Sequence, residues 1–254
     1  RITDLVIGDR VRDRVKVIQR KTQRPVQFEV SENTRESIYN AFRRKETFGT
    51  SGPRIKVRFF AGYNFENSNL NDQDLIQEAY SKNVPMGGDI IQEKGKNPRF
   101  LVWAISDPLG APLQRVQIIK GWLEEGEHRE KVFDVACSDG QSVDSITHRC
   151  PDNGASINVD DCSISREKGN AEIKTFWQDP EFSNDQEAFY YARVLENPTC
   201  RWSTWDAVRA EEKPRSDIPI TIQERAWSSP IWYIPAINEF TIIPLGGTVA
   251  IGDE

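Results

Sequence analysis

The apolar positions of this chain fall into short runs separated by turn formers. The densest stretch lies between Arg99 and Trp122, where Phe100–Ile105 and Val116–Ile119 flank a connection holding Asp107, Pro108, Gly110 and Pro112. That pattern predicts strand, turn and strand, a central hairpin on which the flanking segments pack. Val26–Val30 and Arg54–Tyr63 alternate polar and apolar residues, so each reads as a strand with one face in a core. Ile90-Ile91, Lys131–Ala136, Ala171–Trp177 and Ala188–Leu195 add further strands, the last two joined by the turn-rich Asp179–Asp185. About six strands with turns between them, and no helices in alternation, predict a β-sandwich.

Helical signals are fewer. At Ser31–Glu36, Asn33 stands in a capping position with Glu36 three residues on, and Ile38, Ala41 and Phe42 then give an apolar face. Arg43-Arg44-Lys45 place cations where the helix dipole favours them. With Val26–Val30 before it and Glu46–Gly52 after it, this helix makes a strand–helix–strand unit. Asn71–Tyr80 predicts a second short helix. Ser203-Thr204-Trp205-Asp206 caps a third that runs to about Glu212 and stops before Pro214. Leu5, Ile7, Val11, Val15, Val17 and Ile18 suggest short strands broken by charges, Gln223–Tyr233 a closing strand, and residues 234–254 a trailing segment. The expected organisation is a small α/β piece over 1–52, a β-sandwich with covalently tied loops over 53–200, and a Trp-rich extension over 201–254.

Composition narrows the function classes. At 254 residues a sizeable core forms without staples. The 37 % hydrophobic and 28 % charged content is that of a globular chain. A net charge of −6 argues against nucleic acid or an anionic membrane as partner, since both need a basic face. There is no run of about 18 apolar residues, so no membrane-spanning helix is expected. The chain opens on Arg1 and its single methionine is Met86, which leads us to expect a piece of a longer protein.

Cys137, Cys150, Cys162 and Cys200 lie in loop-like surroundings, with no C-x-x-C pair among them. Two disulfides, free thiols and an atypical zinc site are the alternatives, and four cysteines allow three disulfide pairings. Pairing sequence neighbours would close loops of 13 and 38 residues, worth roughly 3 and 4 kcal/mol. Disulfides would in turn imply an oxidising compartment, periplasmic or extracellular.

Other candidate chemistry is thin. His128 and His148 are isolated loop histidines, and two cannot build a catalytic metal cage alone. Asp160-Asp161, with Asp152 and Asn153 nearby, offers oxygen ligands of the kind calcium takes, but not at EF-hand spacing. Ser228-Ser229 lacks the G-x-S-x-G elbow, and Gly246-Gly247 lacks the Lys-Ser/Thr of a phosphate loop. We therefore assign no catalytic residue, no metal ligand and no cofactor within this chain. Trp202, Trp205, Trp227 and Trp232 serve either as packing groups or, as the alternative function, as exposed platforms for a glycan or protein partner.

Several motifs in order carry a resemblance. Glu32–Ile38, Arg44–Ile55, Arg58–Gly62, Val84–Asp89, Gln117–Trp122, Phe189–Val194 and Glu196–Trp205, continued by Gln223–Tyr233, resemble the end of the catalytic region, and the segment C-terminal to it, in the bacterial domain-of-unknown-function family 3604. The resemblance covers roughly residues 29–235. That family looks like a branch of the PHP (polymerase and histidinol phosphatase) metallohydrolases, whose His- and Asp-rich metal motifs would lie N-terminal to this chain. The resemblance implies the last strand–helix–strand of a PHP-like barrel with an accessory sandwich after it, inactive alone. A missing N-terminal catalytic region would then be its partner and hold a divalent metal, with a small-molecule substrate left unspecified. It also implies that the four cysteines are structural. Active faces of such barrels lie at strand C-termini, which would place Glu32 and Arg35 at the substrate rim.

Overall fold

A computed structural model describes residues 6–7, 10–12, 14–18, 25–65 and 70–236. In chain order its strands and helices are β1 Val6–Ile7, β2 Arg10–Val11, β3 Arg14–Ile18, β4 Pro25–Glu29, α1 Glu32–Arg43, β5 Phe48–Thr50 and β6 Lys56–Gly62. Next come α2 Leu75–Lys82, β7 Val84–Pro85, β8 Asp89–Ile91, β9 Arg99–Ile105, β10 Leu113–Glu124, β11 Glu127–Cys137 and β12 Glu172–Gln178. The rest are β13 Ala188–Glu196, β14 Thr199–Cys200, α3 Trp202–Arg209, β15 Thr221–Ile222, β16 Arg225–Ser228 and β17 Ile231–Ile234. The protein is mainly β, as the strand count in the sequence predicts.

Two sheets face each other. One has the order β12-β9-β6-β7; the other runs β11-β10-β13 and then splits. On the far side of β13, β16 pairs with Arg193–Leu195 and β17 with Ala188–Tyr190. The closing strand expected over Gln223–Tyr233 is thus broken at Ser229-Pro230, where proline has no N–H for the ladder. The break lets β16 pair onward with β5 and β17 with β8.

The core between the sheets is built by alternation. Val57, Phe59 and Ala61 of β6 and Phe100, Val102 and Ala104 of β9 meet Val116 and Ile118 of β10 and Tyr190, Ala192 and Val194 of β13. Residues one step out of phase, Phe60 and Leu101, emerge on the other face of the smaller sheet, where Leu75 and Ala79 of α2 cover them. The outer face of that sheet is covered only where α2 lies on it; Lys56, Arg58 and Ile105 farther along stay exposed, which is why β6 opens on a polar–apolar alternation.

The central hairpin is corrected. Phe100–Ile105 and Val116–Ile119 do lie in strands, but β9 pairs with β6 and β12 while β10 pairs with β11 and β13. The connection over 106–112 carries the chain from one sheet to the other. Asp107 shapes it by accepting from the N–H groups of Arg54 at 2.7 Å and Leu109 at 3.0 Å. The true hairpin is β10–β11, turned by Glu125 and Gly126 with φ of 52° and 82°. Two positive φ values in a two-residue loop match the twist of the paired strands.

The N-terminal unit keeps the order strand, helix, strand, but its strands lie in different sheets: β4 pairs with β3, and β5 joins β16. The N-cap of α1 is Ser31, whose hydroxyl accepts from the Thr34 N–H at 3.2 Å, and not Asn33. Ser31 precedes the helix with extended backbone, the geometry a cap needs. α3 also differs: its N-cap is Arg201, and the Thr204 hydroxyl donates to the Ile220 carbonyl at 2.7 Å instead of capping. Of the trailing segment, Ile234 closes β17 and residues 237–254 lie outside the described residues, as do most of the first 24.

Candidate functional site

The four cysteines form two disulfides, Cys137–Cys150 and Cys162–Cys200. They tie down the excursion of the chain between β11 and β12, a connection too long to hold its shape by turns alone. Side chains complete the tie. Asn153, buried, donates to Asn197 Oδ1 at 2.9 Å and Asp139 Oδ2 at 3.1 Å. Asp139 also accepts from the Gly169 N–H at 2.9 Å. Burial pushes the Asp139 carboxyl up, but its hydrogen bonds from Ser138, Gly169 and Asn153 outweigh that and hold it below the usual carboxylate range.

The acidic residues of the calcium-like stretch have local work. Asp161 caps the Ser163 N–H at 2.9 Å and Asp152 the Gly154 N–H at 3.0 Å. His148 sits edge-on to Phe133 with ring centroids 5.2 Å apart. Among the described residues no three His, Cys, Asp or Glu side chains converge where they could hold a metal ion.

Glu32 and Arg35, expected at a substrate rim, do come together. They line a charged hollow of about 740 Å³ with Arg12, Arg14, Glu29 and Val30. Arg14 and Glu29 bridge its wall at 2.9 Å, both largely in solvent. The hollow is a mixed-sign surface at the start of α1. Helix α1 itself carries no fully buried residue. Tyr39 is 44 % and Phe42 42 % exposed, and Arg43 lies over the Tyr39 ring at 5.8 Å.

The tryptophans split. Trp202, at the start of α3, is 72 % exposed; Trp205 is also exposed and carries Arg209 over its ring at 5.3 Å. Trp227 is half-buried in β16. Trp232 belongs to a different feature, an open cleft of about 870 Å³ on the larger sheet.

That cleft is built by strand register. Gly121 of β10 pairs with Phe189 of β13, Phe189 with Trp232 of β17, and Trp232 with Asp89 of β8. The four residues therefore form one row across four strands on the same face. The Phe189 ring covers the space a side chain would occupy at Gly121, where a Cβ would fall 2.2 Å from the ring. Phe189 and Trp232 touch, tilted at 51° with centroids 5.2 Å apart. Trp122 and Tyr233 complete the aromatic lining, and Asp89, Glu124, Glu125, Asp185 and Glu187 stand around it with Lys45 and His128. Burial first, then the neighbouring Tyr63 and Asp185, push the Tyr233 phenol up to about 12, so it stays a neutral donor to the Asn184 carbonyl at 2.9 Å. No sequence motif announces this cleft. The one signal is a glycine inside a strand, which often marks the close approach of another group.

Beneath the floor lies a buried ion pair, Lys120–Asp179, at 2.7 Å. Asp179 also accepts from Tyr190 Oη at 2.8 Å and from the Glu181 N–H at 2.8 Å, while Lys120 donates to the Glu181 carbonyl at 2.8 Å. The pair fixes the β12–β13 connection against β10.

Fold and clefts together define a disulfide-tied, mainly β protein built around two facing sheets. The model of a family described as a protein of unknown function, DUF3604, matches residues 28–235, and the chain belongs to that family. No curated protein and no solved structure matches the chain. Among the described residues no helix is long and apolar enough to cross a membrane.

Proposed function

We propose that this chain is the accessory C-terminal region of a PHP-like, metal-dependent hydrolase, working outside the reducing cytoplasm and inactive by itself. The observation that carries this reading is α1. A 12-residue helix is marginal in water unless its apolar face is packed, yet α1 buries none of its residues fully and exposes Tyr39 and Phe42. Such a face fits against a larger body, and the catalytic region that the family motifs imply upstream supplies one. Glu32 and Arg35, at the N-terminal end of the same helix, would stand where that body meets the sandwich. The two disulfides support an oxidising location, periplasmic or secreted.

The test is turnover of a phosphate ester with added divalent metal, by this chain and by a polypeptide extended upstream through the family's metal motifs. Turnover by the extended polypeptide alone supports the proposal. Turnover by the 254-residue chain overturns it.

A further inference from the structure

We propose that the cleft over Phe189 and Trp232 binds a small organic ammonium ion, an amine or quaternary ammonium group bearing apolar substituents. Three observations point there, and none depends on the catalytic region proposed above.

The first is the register row. Phe189 and Trp232 present adjoining rings on the outer face of the sheet, and the next residue in the same row is Asp89. Trp232 is 45 % exposed, so its ring is available to a ligand. An aromatic ring attracts a cation through its negative face, and a carboxylate beside it completes the charge match.

The second is the sign of the rim. Five carboxylates border the cleft against Lys45 and His128. Glu124 is held by Arg129 at 3.3 Å. Among the described residues Asp89, Glu125, Asp185 and Glu187 have no ion-pair partner. With these carboxylates outnumbering Lys45, the cleft carries a net negative charge, which raises the local concentration of cations.

The third is size and character. At about 870 Å³ the cleft lies in the range of small-molecule sites, with an apolar floor and a few polar groups at its edge. With no side chain at Gly121, the outer end of the Phe189 ring takes the space over it.

The experiment is titration calorimetry of the 254-residue chain at low ionic strength with choline, its neutral isostere 3,3-dimethylbutan-1-ol, and cellobiose. We expect choline to bind and the neutral isostere to bind about tenfold more weakly, the cation–π share of the affinity. Trp232→Ala should weaken choline about tenfold as well. Because Trp232 lies in a strand, the surface double variant Asp89→Asn/Glu187→Gln provides a second arm that leaves the fold intact, and it should weaken choline several-fold and flatten the salt dependence. No choline binding at about 10 mM (roughly ten times a millimolar Kd), equal binding of the isostere, or binding of cellobiose alone would each overturn the proposal.

Discussion

Lys120 and Asp179 form an ion pair 2.7 Å long in which the side chains are 4 % and 0 % exposed. Both charges are out of water, so each depends on the other. Removing one partner leaves an uncompensated buried charge, which typically costs about 3–5 kcal/mol. Asp179→Ala should fall in that range by urea unfolding, and it also strips Tyr190 and the Glu181 N–H of their acceptor. Replacing both with a well-packed apolar pair should cost far less, which distinguishes a charge problem from a cavity problem.

Glu196 gives the protein a pH dependence of unusual sign. Its side chain, 1 % exposed, lies under the 106–112 connection, accepting only from the Ala111 N–H at 3.3 Å, and Oε1 has no partner. Burial first, then the nearby Asp107 and Glu224, push its carboxyl from 4.5 up to about 7. A carboxyl raised on folding stabilises fully below its unfolded value and loses that contribution as pH climbs through the folded value. Stability should therefore fall between about pH 4.5 and 7, by roughly 3 kcal/mol at 1.36 kcal/mol per pH unit. Glu196→Gln should remove that slope in urea midpoints measured at pH 5 and pH 8. Asp139 runs the other way: its carboxyl is held low, so its contribution is present above the unfolded value of 3.8 and is lost in acid.

The disulfides should separate under mild reductant. Cys162 and Cys200 are buried at 4 % each, while Cys137 and Cys150 are half-buried. Cys137–Cys150 should open first, read by alkylation and mass spectrometry. The longer closure, with a separation of 38 residues against 13, should cost more when lost, roughly 4 against 3 kcal/mol.

The exposed face of α1 predicts a split between stability and assembly. Phe42→Ser, at a position 42 % exposed, should leave thermal unfolding of this chain nearly unchanged, within about 0.5 kcal/mol. In the polypeptide extended upstream the same change should lower the melting temperature, because there the ring would be packed.

Strand positions were legible because apolar alternation is local, and β6, β12 and β13 lie where the sequence places them. Strand partners were not. The hairpin expected over residues 99–122 failed because β9 and β10 find their neighbours far along the chain, in opposite sheets. The turn at Glu125-Gly126 has no signature beyond its glycine, since glutamate rarely takes φ of 52°. Cap identity at α1 slipped from Ser31 to Asn33 because both residues suit the role and lie two apart. The cleft escaped because it is a product of register: nothing local links Gly121, Phe189 and Trp232, which meet only once three strands pair. Glu32 and Arg35 could be placed beside each other from helical spacing, whereas Arg12 and Arg14 across from them could not.

The most direct test of the accessory role is metal stoichiometry by elemental analysis, on this chain and on the polypeptide extended upstream. We expect divalent metal in near-stoichiometric amount in the longer protein and only trace metal in the 254-residue chain. Stoichiometric metal in the short chain would contradict the proposal and put a metal centre within the sandwich itself.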